Sequence, residues 1–300
     1  MTRIADFVQH QRLTGNVLDG LTRIREIEAQ VSSGKKSQDF AGIANDANRL
    51  LVTEIQFGRV RQYIENNNRA RQRLEVMDQA VGAMVDVASD LRVLLVQATS
   101  DNAGDNVPVA ERAQDLLEII VRELNAKLDG RFLFAGSRTQ APPIASPVPD
   151  PAIVGVPDAT YYGGDGIELA VRADDEVTLS YGVTGDRLGF QQLVGALKSA
   201  IAGDTNDIPG LLETAIDLAS ASITELTTYR AEIGSKLKTL ATTNARHEDF
   251  TLYVEGVISD IENVDVALAI TELAQQQTII EASFLTLSRI AGLSLTNFLR

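Results

Sequence analysis

Apolar residues recur at three- and four-residue spacing through both ends of the chain, and the pattern lapses in between. Toward the C-terminus Leu226, Ile233, Leu237, Leu240, Asn244, His247, Thr251, Val254, Ile258, Ile261, Asp265 and Leu268 step by fours and threes, with Arg230 in the one gap. Such a series is a heptad seam and predicts a long coiled-coil helix. A matching series, Leu74, Met77, Val81, Met84, Ala88, Leu91, Leu95 and Ala98, predicts a second long helix in the first half. It can run from near Ala44 to about Ser100 without meeting a proline, a span of roughly 85 Å. A looser stripe (Phe7, Leu13, Val17, Leu21, Ile24, Ile27, Val31) predicts a first helix ending at Ser33, where Gly34 and then Lys35-Lys36 supply a stop signal.

Asp101 to Asn106 predicts a loop, and Pro108 fits the first turn of a helix that buries Leu116, Leu117, Ile120, Leu124 and Leu128 and stops at Asp129-Gly130. From Arg131 the period changes. Arg131 to Gly136 predicts a strand, and the Pro-rich segment 141–158 a loop. Tyr161-Tyr162, Ile167 to Val171 and Val177 to Tyr181 predict short strands, with Gly163-Gly164-Asp165-Gly166 and Asp174-Asp175 as turns. Helical pattern returns at Phe190 to Ile201 and, after Gly203 to Gly210, continues almost unbroken to Arg300. The expected fold is mainly α with a small β insert. Residues 1–130 and 190–300 form a discontinuous rod of long antiparallel coiled-coil helices in which the termini pair, and residues 131–189 form a small β-rich surface domain. Past Leu268 the seam shifts to Ile270, Leu273, Gln277, Ile280, Phe284, Leu287, Ala291, Ser294 and Phe298. A turned face meets a different neighbour, so the last thirty residues are expected to pack against another subunit or another terminus.

Composition sharpens this picture in three ways. Aromatic residues are only 5% of the chain and Trp is absent, so the apolar mass is aliphatic and suits helix seams. Cysteine is absent, which excludes disulfides, thiolate metal sites and cysteine nucleophiles. The first thirty residues hold no apolar signal core, and no run approaches the ~18 apolar residues of a spanning helix. The net charge of −14 is unevenly placed: residues 1–73 carry +4 and residues 247–300 carry −6. That complementarity favours packing one arm against the other, in the same molecule or the next.

Candidate chemistry is sparse. His247-Glu248-Asp249 lacks the further histidines or cysteines a zinc set requires. His247 lies on the seam between Asn244 and Thr251, and these three are expected to form a polar layer that sets coiled-coil register. Gly163-Gly164-Asp165-Gly166 has neither the glycine spacing nor the following Gly-Lys-Ser/Thr of a phosphate loop. Arg69, Arg71 and Arg73 lie two apart and spread around a helix, so with Arg59 and Arg61 they are better matched to the acidic C-terminal arm than to nucleic acid. The polar faces are not cationic enough for a membrane surface. No catalytic residue, cofactor or metal is expected, and the chain is not expected to be an enzyme. Burying one Leu or Ile yields roughly 1.5–3 kcal/mol, so seams this long stabilise only when mated.

The turn Gln30-Val31-Ser32-Ser33-Gly34-Lys35-Lys36, followed by Ala41-Gly42-Ile43-Ala44-Asn45-Asp46, resembles the turn after the first helix in the bacterial flagellin superfamily. Ile261-Glu262-Asn263-Val264-Asp265-Val266-Ala267, Leu273-Ala274-Gln275-Gln276-Gln277 and the closing Leu293-Ser294-Leu295-Thr296-Asn297-Phe298-Leu299 are similar to its C-terminal helix. Within the superfamily, Asp129-Gly130-Arg131-Phe132-Leu133-Phe134-Ala135-Gly136-Ser137-Arg138-Thr139 with Pro142-Pro143 resembles the members at the hook–filament junction. Those members often carry a Ser-Asp-Asp-Pro turn where this chain reads Gln38-Asp39-Phe40-Ala41-Gly42-Ile43-Ala44. Filament flagellin is therefore the alternative, with an unrelated secreted coiled-coil adaptor behind it.

The resemblance implies a structural subunit of the bacterial flagellum that connects hook to filament by helical polymerisation, terminal helices inward and β insert outward. Its partners would be copies of itself, neighbouring axial proteins (an adjacent hook-associated protein and flagellin) and an export chaperone. It would be extracellular, exported through the narrow flagellar type III channel without a cleaved signal, its termini folding on assembly. The assembly interface is expected at Val17, Leu21, Ile24, Val31, Arg59, Arg61, Ile270, Leu273, Ile280, Phe284, Leu287, Leu295 and Phe298.

Overall fold

The computed structural model describes residues 2–100, 107–151, 153–208 and 210–298, with side chains described from residue 11 to residue 289 of these. Helices α1 (Thr2–Ser33) and α2 (Ala47–Ala98) are joined through a 3₁₀ turn, Phe40–Ile43, whose Asp39 side chain accepts from the Gly42 amide. After α3 (Val109–Leu124) come two hairpins, β1 (Lys127–Leu128) with β2 (Arg131–Phe132) and β3 (Leu169–Arg172) with β4 (Thr178–Tyr181). Helices α4 (Leu188–Asn206), α5 (Leu211–Glu262) and α6 (Val266–Phe298) complete the chain. The contacts divide it into a terminal unit, Met1–Arg59 with Phe250–Arg300, and a middle unit, Val60–Asp249.

The middle unit holds the main hydrophobic core. Leu74, Met77, Val81, Met84, Ala88, Leu91 and Leu95 of α2 are all buried, as are Leu226, Ile233 and Leu240 of α5. The two seams meet antiparallel. Eleven residues forward along α2, from Asn67 to Asp78, correspond to fourteen back along α5, from Asn244 to Arg230, both pairs being hydrogen-bonded. Arg230, which interrupts the apolar series, grips Asp78 through two bonds of 3.0 and 3.2 Å. Helices α3 and α4 pack on one another and on this core, with Leu117, Ile120, Leu124, Phe190, Leu193 and Leu197 inside.

The β insert is smaller than the sequence suggests. Asp129-Gly130 does not stop α3, which ends five residues earlier at Leu124. Both residues adopt positive φ (52° and 74°) and form the two-residue turn between β1 and β2, the primed geometry that matches strand twist. The strand expected over 131–136 closes at Phe132, because Phe132 to Gly136 are all buried and leave no solvent face to alternate with. Phe134 meets the Phe190 ring edge-on at 5.9 Å, and its carbonyl accepts from Gly185 N and Tyr162 Oη, each at 2.9 Å. Tyr161-Tyr162 contributes only a bridge to Ile144 in place of a strand. Asp165 ties the loops, accepting from Ser137 N and Oγ and Ile167 N, and these donors hold its carboxyl below the usual range. Burial pushes the Tyr161 hydroxyl well above its ordinary value. Arg187 lies over the Tyr229 ring and forks onto Glu232 at 2.7 and 3.1 Å, which lowers the Glu232 pKa.

In the terminal unit α1 packs against α6. Ile280 lies over Gly20, where a Cβ would come within 2.6 Å of Ile280 Cδ1. The predicted stop after α1 is present: Gly34 takes φ 71° and its amide bonds back to Gln30 O at 2.8 Å. The C-terminal helical pattern, almost unbroken in the sequence, is divided between two helices. It ends at Glu262 and restarts at Val266, with Asp265 capping the Ala267 and Leu268 amides at 3.0 Å each. An aspartate accepting two first-turn amides is a helix start, and the seam's phase shift falls at this break.

Candidate assembly surface

The Gly34 turn and the α5–α6 break, distant in sequence, clip together. Lys35 forms an antiparallel bridge with Asn263, Val264 N donates to Gly34 O at 2.9 Å, and Lys36 N donates to Glu262 O at 2.6 Å. The Lys35 ammonium adds an ion pair with Glu262 at 3.0 Å. From this clip to the Gly20–Ile280 contact is fourteen residues back along α1 and sixteen forward along α6, so the pair is antiparallel. Backbone bonds at the clip fix its register in a way side-chain seams alone do not.

Along that pair Val17, Ile27, Ala269 and Ile280 are buried, and Leu21, Ile24, Val31, Leu273 and Leu287 half-buried. The face of α6 turned inward is Ala269, Leu273, Gln276, Ile280, Ser283 and Leu287. Ile270 (51% exposed) and Phe284 (52%), one position along from two of these, stand open with Val266, Leu268, Ile279 and Leu285. Leu295 and Phe298 lie on α6, and their side chains fall outside the described residues. Arg59 and Arg61 are exposed on α2. Of the 22 large apolar side chains exposed among the described residues, 14 belong to the terminal unit. On α6 large apolar side chains stand on the open side as well as on the inward one, and such a helix needs more than one neighbour.

Asn244 and His247 are drawn into a buried polar network in the middle unit. Asn67 Nδ2 donates to Asn244 Oδ1 at 2.9 Å and to Ala173 O at 3.1 Å, and Asn244 Nδ2 donates to Asn68 Oδ1 at 3.0 Å. His247 Nε2 lies 2.9 Å from Ala173 O. A carbonyl only accepts, so Nε2 carries the proton. Tyr63 stacks on the imidazole at 5.8 Å and donates to Asp175 Oδ1 at 2.9 Å. The network thus moors the β3–β4 turn to α2 and α5. Thr251 is half-buried on the α5 segment of the terminal unit. Tyr63, Asn67 and Asn68 did not stand out in the sequence, yet the α2 series continues backward from Leu74 through Ala70 to Asn67 and Tyr63 at the same spacing. Among the described residues no group of three or more His, Cys, Asp or Glu is placed to hold a metal, and no helix is long and apolar enough to cross a membrane.

Antiparallel terminal helices with open apolar faces, carried with a middle unit that has its own core, define a helical subunit built to assemble. Residues 11–139 match the bacterial flagellin N-terminal helical region and residues 216–299 the bacterial flagellin C-terminal helical region. The chain belongs to the bacterial flagellin family. It is 21% identical to the flagellar hook-associated protein 3 of Salmonella typhimurium strain LT2 across 98% of both chains. It is also 21% identical to that of Escherichia coli K12 across 89% of this chain and 90% of the other. Its fold is shared with Bacillus cereus FlgL (TM-score 0.58, 15% identity, 69% of this chain and 99% of that one). It is shared too with the flagellar hook-associated protein 3 of Legionella pneumophila (TM-score 0.54, 12% identity, 70% and 98%).

Proposed function

We propose that this chain is a structural subunit of the bacterial flagellum, seated at the hook–filament junction and polymerising helically through its terminal helices. The observation that carries the reading is the concentration of open apolar side chains on the terminal unit of a flagellin-family chain whose full-length relatives are named hook-associated protein 3. Residues 1–130 and 190–300 act as the assembly core and residues 131–189 as the surface domain. Ile270 and Phe284 face neighbouring subunits; Val17, Leu21, Ile24, Val31, Leu273, Ile280 and Leu287 order the paired ends that present them, and Leu295 and Phe298 belong to the same assembly interface. Arg59 and Arg61 meet acidic surface. Asn244, His247 and Thr251 act as the register layer. The partners are copies of this chain, the adjacent hook-associated protein, flagellin and an export chaperone. The protein works outside the cell, reaching it by flagellar type III export without a cleaved signal, and it catalyses nothing.

A deletion strain viewed by electron microscopy tests this. The expected phenotype is hooks without attached filaments, with filament subunits shed into the medium. Hooks without filaments and without shed subunits would assign the chain to the filament itself. Normal attached filaments would refute both.

A further inference from the structure

Two strips on the terminal unit are left over by the α1–α6 pairing. On α2 Leu50 is buried and marks the inward side. Leu51, Ile55 and Val52 lie about 100°, 140° and 200° round the helix from it, and all three are exposed, Ile55 at 55%. On α5 Val254 is buried, while Tyr253 and Leu252 lie about 100° and 160° away and are exposed, Leu252 at 67%. Each strip is a contiguous apolar surface on the face its own helix turns to solvent.

Their charged surroundings differ. Arg49 and Arg59 lie about 260° and 180° round α2 from Leu50 and flank the solvent side of its strip, while Glu54, at about 40°, lies toward the inward side. Residues 250–265 hold Glu255, Asp260, Glu262 and Asp265 and no Lys or Arg. Glu262 is answered within the chain by Lys35, whereas Glu255 is exposed one turn from Leu252, on the same side of α5. Setting the α5 strip against its like would place carboxylate against carboxylate, and setting the α2 strip against its like would bring the solvent-side arginines together. Setting unlike strips together pairs both the apolar centres and the charges.

We propose that the α2 strip (Leu51, Val52, Ile55) of one copy docks on the α5 strip (Leu252, Tyr253) of a second copy of this chain, with Arg49 facing Glu255. The contact rests on the reading of the chain as an assembling subunit and names the faces by which neighbours meet. Because the two faces differ, the contact is heterologous, and each docked copy presents the next free face. It therefore propagates into a ring or helix and does not close as a dimer.

The chain has no cysteine, so single-cysteine variants report contacts cleanly. Ile55→Cys and Leu252→Cys are expressed together in cells lacking the native chain, and isolated hook–filament particles are treated with a short bismaleimide. A crosslinked dimer is expected when both variants are present and is absent with either alone. As a second arm, Arg49→Glu and Glu255→Arg each lower incorporation several-fold, and the two together in one chain restore it. Particles that contain the chain but give crosslinks with a single variant, or none with both, overturn the contact and leave the junction reading intact. So does a double charge swap no better than either single one. Absence of the unsubstituted chain from the particles overturns the junction reading, and the contact with it.

Discussion

Asn67→Ala and Asn244→Ala, singly and together, probe whether the buried amide pair acts as a unit. Each single change removes two hydrogen bonds: from Asn67 those to Asn244 and Ala173, from Asn244 those to Asn67 and Asn68. At a net contribution of about 1 kcal/mol per bond, each costs about 2 kcal/mol. Neither leaves a bonded partner orphaned at Ala173, whose carbonyl keeps His247 Nε2 in both. The double variant loses three bonds, since one is shared, and costs about 3 kcal/mol in place of the additive 4, a coupling of about 1 kcal/mol. Equilibrium urea unfolding followed by tyrosine fluorescence reads this unit selectively: five of the six tyrosines lie between Val60 and Asp249, and there is no tryptophan. Slopes should be unchanged and midpoints should fall. If the single costs add within about 0.3–0.5 kcal/mol, the two amides are independent and the network reading is wrong.

Three further outcomes follow from the same geometry. The Glu232 and Asp165 carboxyls are held below their unfolded values by Arg187 and by the Ser137 donors respectively. Their contribution is therefore full above the ordinary carboxylate range and is lost as pH falls through the folded values. The middle unit's urea midpoint should drop from about pH 4 downward; Glu232→Gln should flatten that acid decline, and an unchanged slope would refute the assignment. Gly136→Ala should cost at least about 2 kcal/mol, because Gly136 has φ 67° and its Cβ would come within 2.1 Å of Asp165 O. Gly130→Ala, at φ 74° with open space around it, should cost only about 1–2 kcal/mol, and equal losses in urea unfolding would mean that the close approach is not felt. Removing residues 271–300 should leave the middle unit's urea midpoint unchanged and abolish incorporation into flagella; incorporation at the normal level would sink the assembly reading.

The long helices were legible because their causes are local and repeated. Seven consecutive seam positions from Leu74 to Leu95 are all buried, since a stripe at helical spacing has one side on which to hide. The stop at Gly34 was legible for a similar reason: a residue at φ 71° ends a helix by its own conformation. In the β insert the second hairpin was legible, since the strands expected over 167–171 and 177–181 form at Leu169–Arg172 and Thr178–Tyr181, but the stretch Phe132 to Gly136 was legible only as a change of period. There the apolar residues pack into a helical core and do not alternate between faces, so their pattern resembles neither element, whereas Leu169 to Arg172 and Thr178 to Tyr181 do alternate.

Propensity and spacing act within a few residues, and they are enough to make this an aliphatic, cysteine-free, helical chain whose two ends carry mateable stripes. Which face each stripe uses depends on the folded whole. On α6 Ala269, Leu273, Ile280 and Leu287 turn to α1 while Ile270 and Phe284 stay open. Both series are apolar, and choosing between them depends on the register set by the Gly34–Val264 clip. The same holds for Asn67, whose amide is explained by a carbonyl more than a hundred residues away. Local spacing shows that a surface must be covered. What covers it is settled by contacts between segments that are far apart in the chain.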